Sequence, residues 1–134
     1  MDDGNSEVYQ IVNERVKTAA KALGNALLKS EAYINFIKAR DQFRMDETAK
    51  EAAREYNAVL NDYQMRARFG GITPDDETKI QEAQKVARQN IVLDNYYKSQ
   101  ENLIAFYQEL NAYLSDKLKF DFASLAKPPS SCCG

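Results

Sequence analysis

The residues able to do chemistry in this chain are few, and the most distinctive are two adjacent cysteines. Cys132 and Cys133 follow a Pro128-Pro129 pair and Ser130-Ser131. Thiolates are soft donors suited to zinc or to iron–sulfur clusters, and a cytoplasm keeps them reduced. Either centre takes about four ligands, so two neighbouring thiolates supply half of one. The remainder would come from a second subunit or a partner protein. The plainer reading is a tail whose cysteines have no role. A C-terminal Cys-Cys also ends doubly prenylated small GTPases, but their nucleotide-binding motifs are missing here.

Nothing else is arranged for catalysis. The chain has no histidine, which removes the commonest general base and the commonest metal ligand. Gly70-Gly71 lacks the lysine and the spacing of a phosphate-binding loop. Glu47, Glu51 and Glu55 recur at helical spacing, but a di-metal carboxylate centre also needs Glu-x-x-His pairs. These acids read as a solvated face, and the tyrosines as core and interface. The sequence predicts a protein that is not an enzyme.

Eighteen basic and 20 acidic residues give a net charge of −2. They are interspersed, with no basic stripe, so direct nucleic-acid binding is not expected. The segment Met1-Asp2-Asp3-Gly4-Asn5 is acidic and does not resemble a secretory signal. No apolar run approaches the roughly 20 residues that span a bilayer. A cytoplasmic protein is expected, and 134 residues make one domain able to bury about two-thirds of its unfolded surface.

The elements that position these residues are helices. Period-two alternation is absent, and the chain reads as all-α: an antiparallel helical hairpin or bundle of about five helices. The helical domain is expected over 1–122, with a flexible tail over 123–134. Its pivot is Phe69-Gly70-Gly71-Ile72-Thr73-Pro74. Glycine enters the left-handed cap that stops one helix. Thr73, Pro74 and the acids Asp75, Asp76 and Glu77 start the next, as cap, first-turn residue and dipole partners.

Before the pivot, a first helix is expected from about Ser6 to Lys29, with Val8, Val12, Val16, Ala19, Leu23 and Leu27 on one face. Ser30-Glu31 starts a second, carrying Tyr33, Phe36, Ile37, Arg40 and Phe43. Asp46-Glu47 starts a third, carrying Ala49, Ala52, Ala53, Tyr56, Val59, Leu60 and Tyr63. After the pivot, Ile80, Ala83, Val86 and Ala87 form one stretch, and the pattern hesitates at Gln89-Asn90. It resumes from Leu93 to Leu118. A helix of more than about 25 residues spans roughly 38 Å, too long to bury its whole stripe in so small a domain. Part of it should meet another chain, which predicts a homodimer with Tyr96, Tyr97, Leu103 and Tyr107 as contact residues.

A faint internal echo crosses the pivot. A shift of sixty residues sets Ser30 on Asn90, Asn35 on Asn95, Phe36 on Tyr96, Ile37 on Tyr97, Lys38 on Lys98 and Phe43 on Leu103. Both arms therefore break and restart at matched depths, and the two breaks are expected side by side.

The segment Leu27-Leu28-Lys29-Ser30-Glu31-Ala32-Tyr33-Ile34-Asn35-Phe36-Ile37-Lys38-Ala39 resembles the L-x-x-S-E-x-Y-x-x-Y/F-x-x-A segment of the YlbF/YmcA regulators. The likeness continues through Asp46, the alanine-rich third helix, the glycine turn and Asn90-Ile91-Val92-Leu93-Asp94-Asn95-Tyr96-Tyr97, roughly over residues 8–118. Ile91 stands where that family commonly has proline, which predicts a softer break. The resemblance implies an all-helical, dimeric, non-catalytic protein. Its family partners form a complex that modulates the endonuclease RNase Y, and so RNA processing, competence, sporulation and biofilm formation. Some members hold iron–sulfur clusters through C-terminal cysteines. Cys132 and Cys133 match that location, though they are adjacent rather than spaced. The alternative from another class is a generic helical-hairpin scaffold or a small prefoldin-like chaperone.

Overall fold

The computed structural model describes residues 14–127, and among these every element is a helix. In chain order they are α1 (Glu14–Leu28), α2 (Glu31–Met45), α3 (Glu47–Arg68), α4 (Pro74–Gln89), α5 (Ile91–Leu118) and α6 (Phe122–Ala126). Ser6, Val8 and Val12 of the expected first helix lie outside the described residues. The all-α hairpin is what the sequence predicts, and α5, at 28 residues, reaches about 42 Å.

Short polar side chains divide the chain. The Ser30 hydroxyl donates to the Leu27 carbonyl (2.6 Å) and accepts from the Tyr33 amide (3.3 Å), closing α1 and opening α2. Asp46 ends α2 and accepts from the Ala49 amide at 2.8 Å. Asn90 does the same between α4 and α5, accepting from the Leu93 amide at 3.0 Å. Each side chain satisfies a helix-start N–H that has no partner within its helix. The break at Asn90 is complete without proline, because an extended backbone and the carboxamide cap suffice to restart the helix. The softer break expected from Ile91 is therefore not found.

At the pivot the chain closes α3 with a paired cap. The Gly71 amide donates to the Arg66 carbonyl (2.9 Å) and the Gly70 amide to that of Ala67 (3.4 Å), the two bonds of a Schellman stop. Gly70 takes φ +72°, where a Cβ would be strained; Gly71 does not. Thr73 and Asp76 then cap α4 reciprocally. The Thr73 amide and hydroxyl donate to the Asp76 carboxylate at 2.9 and 3.0 Å, and the Asp76 amide donates back at 3.2 Å. Asp76 is buried, and Arg66 of α3 lies 3.4 Å from its other oxygen. These bonds, the Thr73 amide first, hold its carboxyl below the usual range.

The arms run antiparallel, and cross-arm partners lie about equidistant from Gly70. Tyr63 donates to Glu77 at 3.0 Å, Phe43 stacks on Tyr96, and Ala39 faces the neighbourhood of Ser99. The breaks that meet are those at Asp46 and Asn90, not the Ser30 and Asn90 breaks that the echo pairs. The break at Ser30, the sequence counterpart of Asn90, instead lies further along, near Tyr107. Ala49, Ala53, Ala87 and Leu93 form the buried cluster at the junction, covered by Phe43, Ala52, Tyr56, Val92, Tyr96 and Tyr97. α1 lies outside this core: none of its residues is buried, and among the described residues its backbone approaches only α2, with Tyr107 of α5 lying across from Lys21, Gly24, Leu27 and Leu28.

Three stability outcomes follow from this geometry. Gly70→Ala should cost about 1 kcal/mol or more. Gly71→Ala should be close to neutral, since its Cβ would meet only the Arg66 carbonyl at 3.9 Å. Urea denaturation of the two variants separates these effects, and equal losses would contradict the assignment of the left-handed cap to Gly70 alone. Leu93 is the only large side chain that is fully buried among the described residues, so Leu93→Ala should cost about 2–5 kcal/mol. A loss below 1 kcal/mol on the same assay would show that the junction is not the core.

Candidate interaction surfaces

No group of three or more cysteine, aspartate or glutamate side chains able to hold a metal occurs among the described residues. Cys132 and Cys133 lie outside them. No described helix is long and apolar enough to cross a membrane. What the structure offers instead is surface, sorted along the hairpin into three zones.

The first zone is the junction itself. Tyr96 lies between Phe36 (centroids 5.9 Å) and Phe43 (4.9 Å, rings within 6° of parallel), and it touches Tyr97 at 6.2 Å. Tyr97 meets Tyr56 edge-on at 6.3 Å, and burial pushes its phenol up. The Arg88 guanidinium sits 5.6 Å above the Tyr97 ring, a favourable cation–π placement. Arg88 also pairs with Asp94 at 3.1 Å and with Glu101, bridging the α4–α5 break. Lys98 reaches Asp94 at 2.7 Å. Leu103 is buried. Of the four residues expected to meet a second chain, Tyr96, Tyr97 and Leu103 thus pack within this one. Tyr107 stays 39% exposed.

The second zone is a polar groove of about 430 Å³ between α2 and α5. Asn35, Lys38 and Gln42 line one wall and Asn95, Lys98 and Asn102 the other, with Ala39 and Ser99 between them. These are two copies of one spacing, Asn-x-x-Lys-small-x-x-amide, brought face to face by the antiparallel arms. The echo in the sequence contains Asn35/Asn95 and Lys38/Lys98. Its extension to Ala39/Ser99 and Gln42/Asn102 escapes the aromatic pattern, because small and amide residues carry no hydropathy signal.

The third zone is the open end, away from Gly70. Lys119 takes a left-handed φ of 65° and turns the chain back after α5. Asn111 and Ser115 then fasten α6 onto it. The Phe122 amide donates to Ser115 Oγ (3.0 Å), the Ala123 amide to Asn111 Oδ1 (3.1 Å), and Asn111 Nδ2 to Asp121 (3.1 Å). Sequence reasoning places residues from 123 in a tail, since a lysine hides a turn that glycine would announce. Between α5 and α6 lies an apolar trough of about 400 Å³ lined by Tyr107, Leu110, Leu114 and Phe122.

Among the described residues, a long all-helical hairpin closed over a small alanine-rich core defines the class of fold. Within that class the family can be named. Residues 16–119 match the family described as control of competence regulator ComK, YlbF/YmcA, and the chain belongs to it. Among solved structures, Bacillus subtilis RicA in complex with RicF is similar, with a TM-score of 0.62 and 20% identity over 78% of this chain and 94% of that one. Among curated proteins no sequence relative matches.

The Asp94 clamp gives a pH-linked outcome. Hydrogen bonding from Lys98, then from Arg88, holds the Asp94 carboxyl below the usual range. A carboxyl lowered on folding adds stability above its unfolded pKa of about 3.9, and that contribution fades as pH falls through the folded value. In a nuclear magnetic resonance titration, Lys98→Met should raise the Asp94 midpoint more than Arg88→Met does. The reverse order would make Arg88 the dominant partner.

Proposed function

We propose that this chain is a non-catalytic regulatory adaptor that works as a homodimer and through further protein partners, in the manner of the YlbF/YmcA regulators. The observation that carries this reading is the mismatch between core and surface. Four of the six buried apolar residues are alanines, while Leu28, Tyr113 and Leu125 are 54%, 70% and 72% exposed. Apolar surface of this extent on one end of a small protein marks an interaction site. The family match supports a regulatory role, and the RicA structure was solved with a partner bound. The proposed cellular role is modulation of RNA processing from the cytoplasm, without direct binding of nucleic acid or membrane.

The cysteines enter as half of a metal centre. Cys132 and Cys133 would supply two thiolates to an iron–sulfur cluster or zinc shared between subunits, and a dimer would supply four. Among the described residues no group of three or more acidic side chains could hold a metal by itself. In this reading the other ligands are the second copy's thiolates or a partner's. When bound, such a centre would tie complex assembly to redox state or metal supply. The rival reading as a prefoldin-like scaffold needs no metal and no dedicated partner.

Affinity capture from the native host, followed by anaerobic reconstitution, tests the proposal. Wild type, with or without its captured partners, should bind more iron or zinc than a Cys132→Ser/Cys133→Ser variant. Equal metal content under both conditions would remove the metal role. Suppression of client aggregation by the isolated protein, with no specific partner captured, would favour the scaffold.

A further inference from the structure

The elbow between α4 and α5 holds a cavity distinct from the polar groove and the apolar trough. The chain bends so far at Asn90 that Arg88, in the last turn of α4, pairs with Glu101. Glu101 lies about 15 Å along the axis of α5, so the two helices flank a hollow instead of running on as one rod. Tyr56 of α3 adds a further wall. The hollow measures about 330 Å³, and Ala87, Tyr97 and Ile104 also line it.

Size limits what it can hold. A cavity of about 150 Å³ takes benzene, while sites for larger ligands reach about 1,000 Å³. A volume of about 330 Å³ suits one ring or two fused ones and is too small for a dinucleotide or a helix. Shape then favours a flat group. Tyr56 and Tyr97 meet at 61°, with centroids 6.3 Å apart, so their rings make two walls of a corner. A third ring placed there stacks on one and meets the other edge-on, the two arrangements that aromatic pairs prefer. An aliphatic chain gains neither.

Charge narrows the class further. The Arg88 guanidinium is engaged by Asp94, Glu101 and the Tyr97 ring, which makes it a fixed wall and not a cation awaiting an anion. The Glu101 carboxylate has about four acceptor positions, and Arg88 donates to one of its oxygens. A donor on the edge of the ring would find an acceptor there, and a negative charge would be repelled.

We propose that this elbow binds a single planar aromatic group that carries an N–H or O–H donor and no negative charge, as an indole does. The group arrives on a free small molecule or on a side chain of a partner protein, and the chemistry recognised is the same. The site does not depend on the adaptor reading above.

The chain has no tryptophan, so an added indole is the only indole fluorophore present. N-acetyltryptophanamide, uncharged and blocked at both ends, is titrated into the full chain with excitation beyond the tyrosine band. A saturable blue shift of its emission at millimolar concentration is the expected result, and N-acetylleucinamide should not displace it. Ile104 is 49% exposed, so Ile104→Glu should keep the helical signal while weakening binding about tenfold or more, by placing a charge in the apolar wall. Ile104→Leu should bind as the wild type does. In nuclear magnetic resonance spectra of the wild type, the Ile104 methyls and the Tyr97 ring should shift during the titration. No saturable emission change, equal binding by Ile104→Glu, equal competition by N-acetylleucinamide, or shifts confined to residues outside the cavity would each overturn the site. Capture from the native host tells the two sources apart. A protein lost with Ile104→Glu and kept with Ile104→Leu assigns the ring to that partner, and an unchanged set assigns it to a free molecule.

Discussion

The structure depends on one junction, where two capped helix starts are buried against each other. Asp46 and Asn90 each accept a hydrogen bond from the amide three residues on, and those residues are Ala49 and Leu93. Both are 0% exposed and belong to the same cluster. The caps and the core are thus one feature. A helix start leaves N–H groups that cannot be buried bare, so its first turn can enter the interior only if side chains satisfy them. Asp46 and Asn90 do this on both arms at the same depth. The alanines then let the arms approach closely enough for Leu93 to be enclosed.

From that junction the rest of the architecture follows by distance. Towards Gly70, α3 and α4 are held by Tyr63 with Glu77 and by Arg66 with Asp76, interactions that fix register more than they add stability. Away from it, α2 and the first half of α5 share the Phe36–Tyr96–Phe43 stack. Beyond Tyr107 the first arm has turned off at Ser30 and no longer covers α5. The apolar stripe of α5 continues regardless, and α6 is folded back across only part of it. Among the described residues, the open end keeps its apolar surface exposed because one arm breaks there and the other does not.

The local punctuation was legible in the sequence. Ser30, Asp46, Thr73 and Asn90 are all read as helix starts from residue type and position, and all four are caps. Periodicity was less decisive about partners. It places Tyr96, Tyr97 and Leu103 on an apolar stripe, but a stripe cannot say whether the surface opposite belongs to the same chain or another. Here the other arm supplies Phe36, Phe43 and Tyr56. The Gly-Gly pair reads as one signal, although of the two only Gly70 adopts the left-handed conformation. Lys119 adopts it as well, with no glycine to mark it, so α6 and the trough beneath it were invisible from sequence.

The echo between the arms gains a physical meaning from the fold. Two segments with the same order of amide, aromatic, lysine and small residue are laid antiparallel, so only the positions near the centre of the pair, such as Ala39 and Ser99, lie opposite their equivalents. The aromatic members Phe36 and Tyr96 turn into the core. The polar members Asn35, Lys38, Asn95 and Lys98 line one wet groove. A single residue order therefore provides the glue of the hairpin on one face and a solvated wall on the other. This division places the buried apolar core at the junction and leaves the groove and the open end outside it. For an adaptor that separation has a direct consequence. Contacts at the open end can be gained or lost with a partner while the junction, which those contacts do not touch, keeps the hairpin folded.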